Sequence, residues 1–230
     1  MPALVVLPGL DGTATLHSEF VAAVDHACDS VSVVSYPPDS ALDYRALEAL
    51  VRDSLPNDAP FVLLGESFSG PIALSIAASP PANLVGLVLS TTFASSPLPL
   101  LAPFAALTRI APIRAVPSSL MSWLLLGSWA TAQLDAAVQA ALLAVRPAVL
   151  RFRAGVAMRA DVSASLGAIA VPVLYLRATQ DRLLSPAAGR QILSAVPECI
   201  VADIAGPHLL LQAVPIDCAS AVGDFVTRLG

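Results

Sequence analysis

Lysine is absent from this 230-residue chain; all twelve basic residues are arginine. Charged residues make up only 13% and the net charge is −5, which excludes a general nucleic-acid binder held by a basic surface. Cysteine is scarce. Cys28, Cys199 and Cys218 are odd in number, far apart and without metal-ligand spacing, so they are expected to be reduced packing residues rather than a disulfide framework. The opening stretch "MPALVVLPGLDG" lacks a basic region and a long apolar run. No signal peptide is expected, and a cytoplasmic location is the default. One run lacks charge altogether, from Ala115 to Leu134, but Pro117, Gly127, Gln133 and several serines interrupt it. A spanning helix needs about twenty mostly apolar residues. A buried or pocket-lining helix is therefore expected there, not membrane contact.

What the chain has is apolar substance: 56% of it is hydrophobic, enough for the core of one large domain. Short runs rich in Val, Ile and Leu read as buried strands: Ala3–Pro8, Val31–Tyr36, Phe61–Gly65, Leu84–Ser90, Val171–Arg177 and Cys199–Ile204. Between them lie helical patterns over Phe20–Ala27, Tyr44–Leu55, Pro71–Ala78, Pro186–Ala195 and Pro215–Arg228. Strand and helix in alternation predict an α/β fold with a mostly parallel sheet flanked by helices.

The alternation breaks once. The core's first half is expected over 1–93 and its second over 166–230, in one continuous domain, with a helical cap or lid inserted at 94–165. The insertion begins proline-rich (Pro97, Pro99, Pro103, Pro112, Pro117) and reads helical from Leu120 to Met158. It holds six arginines, Arg109 and Arg114 among them, against Asp135 and Asp161, whereas the remainder holds six against fifteen acids.

Gly65-Glu66-Ser67-Phe68-Ser69-Gly70 matches G-x-S-x-G and stands where a strand ends and a helix begins. Glycines at 65 and 70 let the two backbones approach, and Ser67 would sit at the apex with strained dihedrals and an exposed hydroxyl. Such a serine needs a base, and the base an orienting acid. The chain order serine, acid, histidine selects His208, in the loop after the last strand, over His17 and His26, which are expected on a helix surface. Asp181, five residues past Leu176, is the expected acid. Its competitor Asp203 falls inside a strand, where its side chain reaches poorly past the strand end. Backbone N–H groups of Phe68 and Leu10 are the candidate oxyanion donors, with Asp11 pinning the loop around Leu10.

The stretches "LPGLDGT", "GESFSG", "ATQDRLLSP" and "GPHLLLQ" resemble the α/β-hydrolase superfamily in order and spacing over nearly the whole chain. Ser67, Asp181 and His208 align with its catalytic serine, acid and histidine. The layout is similar to the esterase branch that includes pimeloyl-acyl-carrier-protein methyl ester esterase of biotin synthesis, although Pro8-Gly9 stands where that loop usually has His-Gly. The resemblance implies a serine esterase that needs no metal or organic cofactor and cleaves a carboxyl ester with an apolar acyl part, carrier-bound methyl esters included. It also implies that the cap selects the substrate. Phe93, Phe104, Met121, Trp123 and Trp129 are candidates to line the acyl pocket. Arg146, Arg151, Arg153 and Arg159 are candidates to dock an acidic acyl carrier protein. The alternatives are a thioesterase or lipase, a lyase or acyl transferase on the same scaffold, and a binding protein without turnover.

Overall fold

In β1 (Ala3–Leu7), Leu4 and Val6 enter one core layer while Val5 and Leu7 enter the other, and all four are buried. That period of two, apolar on both faces, demands cover on both sides of a sheet. The computed structural model describes residues 1–110 and 116–229; Pro112, Arg114 and the side chain of Arg109 lie outside that description. The sheet is completed by β2 (Val31–Val33), β3 (Phe61–Glu66), β4 (Leu84–Ser90), β5 (Val173–Ala178) and β6 (Ile200–Ile204). Its order is β2-β1-β3-β4-β5-β6 and every pairing is parallel.

The expectation of uniformly buried strands fails at both edges. Ile200 and Val201 of β6 are exposed, and β2 is only partly covered. An apolar run does not report its position in the sheet, and the edges lack a neighbour. The second strand also stops at Val33, not Tyr36. The Tyr36 N–H leaves the ladder to donate to Gly12 O, and Pro37 and Pro38 have no N–H to continue it.

The helices, in chain order, are α1 (Ser18–Val24), α2 (Tyr44–Ser54), α3 (Gly70–Ala78), α4 (Ser118–Leu125), α5 (Ala132–Leu143), α6 (Pro147–Ala157), α7 (Pro186–Ala195), α8 (Leu210–Ala213) and α9 (Pro215–Thr227). Their starts follow local chemistry. Asp43 and Thr131 cap α2 and α5 through Ala46 N–H and Leu134 N–H, and Pro opens α6, α7 and α9, where a missing N–H costs nothing. The predicted first helix ends early, tightening into a 3-10 turn at Asp25–Ala27. Phe20, Val24, Val222 and Phe225 place α1 and α9 on one face of the sheet. Leu47, Val51, Ile72, Ile76 and Ile192 place α2, α3 and α7 on the other.

Between β4 and β5 the expected continuous helical reading resolves into α4, α5 and α6, preceded by a 3-10 stretch at Pro99–Ile110. Gly127, at φ 55°, and Pro147 mark the two breaks. Among the described residues, no helix is long and apolar enough to cross a membrane.

Candidate active site

Ser67 has φ 46°, a left-handed conformation that an L residue adopts only under constraint. The constraint is local. β3 runs straight into a 3-10 turn, Ser67–Ser69, and then into α3. A Cβ on Gly65 would lie 2.6 Å from Ala73 Cβ, so glycine is what lets strand and helix meet. Thr92 Oγ1 donates to Ser67 O at 2.5 Å and Tyr44 Oη donates to Phe68 O at 2.9 Å, fixing the turn from both sides.

The structure brings together three of the residues expected from the sequence. Ser67 Oγ lies 2.8 Å from His208 Nε2, and His208 Nδ1 lies 2.9 Å from Asp181 Oδ2. An ionised carboxylate only accepts. Nδ1–H therefore donates to Asp181, and Nε2 is free to take the serine proton. Asp181 Oδ1 accepts the N–H groups of Leu183 and Leu184 at 2.8 and 2.9 Å, which locks the carboxylate after β5. His208 is buried, in the loop that follows β6. Asp203 lies instead in an exposed pair with Arg177, at 2.5 and 2.7 Å.

The loop after β1 packs beside this line. Asp11 accepts Thr13 N–H at 2.9 Å and the Thr13 hydroxyl at 2.5 Å, as a pin should. Burial raises its carboxyl above the ordinary range, and the Thr13 bonds oppose that rise. The 3-10 turn starting at Ser67 leaves its first N–H groups without helical acceptors, Phe68 N–H among them.

His17 requires correction. It is not on a helix surface but buried at the start of α1, with Nε2 2.8 Å from Glu66 Oε2. Gln212 Nε2 donates to the same oxygen at 3.3 Å. Burial would push the Glu66 carboxyl up, but the His17 imidazole and the Gln212 bond bring it below its usual value. Burial would push His17 down, and the Glu66 carboxylate raises it. His17 Nδ1, Glu66 Oε1 and Gln212 Oε1 lack partners among the described residues. The signal for this cluster was period two: Glu66 continues the Val62, Leu64 row into the α1 and α9 layer, where only a polar partner could meet it.

Arg153 also requires correction. Arg146 and Arg159 are exposed and Arg151 is half-buried, but Arg153 is 1% exposed and unavailable to a docking partner. Helical spacing foretells this, because Arg153 lies on the buried stripe of Val149, Leu150 and Val156.

The expected aromatic pocket does not assemble as one channel. Phe93 is buried, whereas Phe104 and Trp123 are more than half exposed. Trp129 borders a groove with Leu16, Leu134 and Gln212. Met121 alone of the five lines a cap cavity of about 570 Å3, with Leu125, Val138, Leu142, Leu150 and Asp135. The cap reaches the site through Leu209 N–H, which donates to Leu125 O at 3.0 Å one residue past His208. Among the described residues, no group of three or more His, Cys, Asp or Glu is placed to hold a metal.

Residues 34–205 match the model of a hydrolase family described as "Serine aminopeptidase, S33". No curated protein matches the chain in sequence. Among solved structures, a hydrolase from Pseudomonas aeruginosa is similar with a TM-score of 0.78 at 19% identity, over 98% of this chain and 89% of that one. An esterase from Thermogutta terrifontis superposes with a TM-score of 0.77 at 20% identity, over 100% and 90%. The enol-lactonase from Burkholderia xenovorans gives 0.75 at 19%, over 99% and 90%.

Proposed function

The chain belongs to the S33 serine aminopeptidase family of α/β-fold hydrolases, and from that premise we propose that it cleaves carboxyl esters with an apolar acyl part through Ser67, His208 and Asp181. The observation that carries this reading is the unbroken line of 2.8 and 2.9 Å bonds ending on a serine held at φ 46°. As Ser67 Oγ bonds to the ester carbon, its proton passes to His208 Nε2, and Asp181 stabilises the imidazolium. The carbonyl electrons move to an oxyanion bound by the N–H groups of Leu10 and Phe68. Collapse breaks the C–O bond, and His208 gives its proton to the departing alcohol. Water then adds to the acyl-enzyme, losing a proton to His208, and the acid leaves as Ser67 regains its own.

The apolar cap cavity is lined by none of the catalytic residues, but Leu125 on its wall bonds the chain beside His208, which supports an acyl chain lodged there. A carrier-bound acyl methyl ester of biotin synthesis is the narrower form suggested by the sequence resemblance. The family name supplies a second reading, removal of an amino-terminal residue, which would need an anion for the ammonium; Asp135 on the cavity wall is the supporting residue.

p-Nitrophenyl esters of increasing acyl length, beside aminoacyl p-nitroanilides, test these readings. Ser67→Ala should lower kcat at least about 10^4-fold. While the cavity fills, kcat/KM should rise about fourfold per methylene, from ~0.8 kcal/mol each. Equal rates in mutant and wild type remove Ser67 as nucleophile. Faster anilide cleavage, lost in Asp135→Asn, favours the peptidase.

A further inference from the structure

The largest side chain fully withdrawn from solvent is a cation, Arg153. It makes no carboxylate pair among the described residues. Its Nη1 donates to Leu10 O at 3.1 Å and Asp11 O at 2.6 Å, and its Nη2 to Pro37 O at 3.0 Å. Its guanidinium carbon stands 5.6 Å from the centre of the Tyr36 ring. Burying a charge with no carboxylate in hydrogen-bond contact is costly; the Asp11 carboxyl offsets part of that cost from a distance, and two of the three carbonyls belong to the loop beside Ser67.

Peptide geometry gives that contact a consequence. In a planar trans peptide the C=O and the following N–H point in opposite directions. Pro8 O accepts from Ser69 Oγ, and because that hydroxyl has one proton, Tyr36 Oη donates to Ser69 at 2.7 Å. Gly9 O accepts Gly12 N–H at 3.0 Å, Leu10 O and Asp11 O accept Arg153, and Gly12 O accepts Tyr36 N–H at 2.8 Å. Five successive carbonyls are held. The N–H groups of Gly9, Leu10 and Asp11 are thereby turned the other way. Gly12, at φ 68°, closes the turn, and a Cβ there would lie 2.5 Å from Arg153 Nη1.

We propose that Arg153 is a positioning residue for acyl transfer: reaching from the cap helix α6, it holds Asp11 O, which turns the Gly12 N–H of that peptide onto Gly9 O, and the Leu10 N–H opposite Gly9 O is thereby aimed at the oxyanion. This role rests on the proposed reaction at Ser67. It makes cap and oxyanion site one mechanical unit, since α6 cannot shift without carrying the donor with it.

The test compares wild type with Arg153→Met, Arg153→Lys and Gly12→Ala, with ester turnover expressed per site titrated by a fluorophosphonate. In Arg153→Met, kcat per titrated site should fall about 10^2-fold, as for a lost or misplaced oxyanion donor. KM should stay within about twofold, because the interaction is made in the transition state. Gly12→Ala should reproduce the fall with the arginine charge intact, and Arg153→Lys, able to hold one carbonyl, should recover part of the rate. An unchanged kcat per titrated site in folded Arg153→Met overturns the proposal, as does a loss confined to KM or to the number of titratable sites. Should Arg153→Met not fold, the same readout on Gly12→Ala and Arg153→Lys decides. Wild type that neither turns over esters nor is labelled at Ser67 overturns the reaction and this role together, an outcome distinct from active wild type with indifferent variants.

Discussion

Glu66 and His17 show how much one buried pair can impose on a neighbouring serine. The residue before Ser67 is a carboxylate with no route to water, and His17 Nε2 at 2.8 Å is its counterweight. A lowered carboxyl such as Glu66 contributes stability above its ordinary 4.5 and loses it as pH falls through the folded value. A raised imidazole such as His17 contributes fully below its ordinary 6.5 and loses that contribution as pH rises through the folded value. The pair therefore stabilises most between those two values. The difference in unfolding free energy between wild type and Glu66→Gln should shrink as pH rises above about 6.5, with a limiting slope of about 1.4 kcal/mol per pH unit. Glu66→Gln also removes the couplings of Glu66 to Asp11 and His208, so the part due to the pair is the part that His17→Gln abolishes as well. A difference constant across that range would show His17 neutral throughout. Period two placed Glu66 in a buried row, but nothing in the chain named His17, 49 positions away, as its partner. The line of Ser67, His208 and Asp181, whose serine and histidine stand 141 positions apart, was legible because motif and chain order name its members without any measure of contact.

At the level of elements, the turn between β3 and α3 was read correctly because glycines and strand and helix patterns agree on it. The edges were misread because a run such as "CIVADI" carries no record of whether a neighbour covers it. The cap was read as one helical length because Leu and Ala continue through its breaks, and only Gly127 and Pro147 punctuate them. The tightness of the β3–α3 turn yields a measurable expectation. In Gly65→Ala the new methyl would meet Ala73 Cβ at 2.6 Å, Ser69 O at 3.2 Å and Gly70 Cα at 3.3 Å, atoms that cannot swing away. Overpacking of this kind costs about 1–3 kcal/mol, so Tm should fall by roughly 2–12 °C for a chain of this length. Ala73→Gly added to it should restore part of the loss. A thermal melt unchanged by Gly65→Ala would mean that strand and helix can separate at the serine without penalty.

Across the whole molecule, charge is divided by function of place rather than by sequence alone. The inserted segment carries six arginines and two acids, and the rest of the chain carries fifteen acids against six arginines. An acidic carrier approaching the molecule would be repelled by the core and drawn to the cap, which orients it before contact. Arg153 adds to that field but not to any interface, since its guanidinium is spent on the loop of Leu10 and Asp11. The docking face proposed for a carrier-bound substrate therefore reduces to Arg146, Arg151 and Arg159. If an acyl carrier protein delivers the substrate, its affinity should fall steeply with added salt. Arg151→Glu with Arg159→Glu should abolish the salt dependence and most of the binding. The same double variant should hydrolyse p-nitrophenyl esters at the wild-type rate, because neither side chain touches the loop or the triad. Carrier binding indifferent to ionic strength, or unaffected by the charge reversal, would leave the ester chemistry standing and remove the carrier from it.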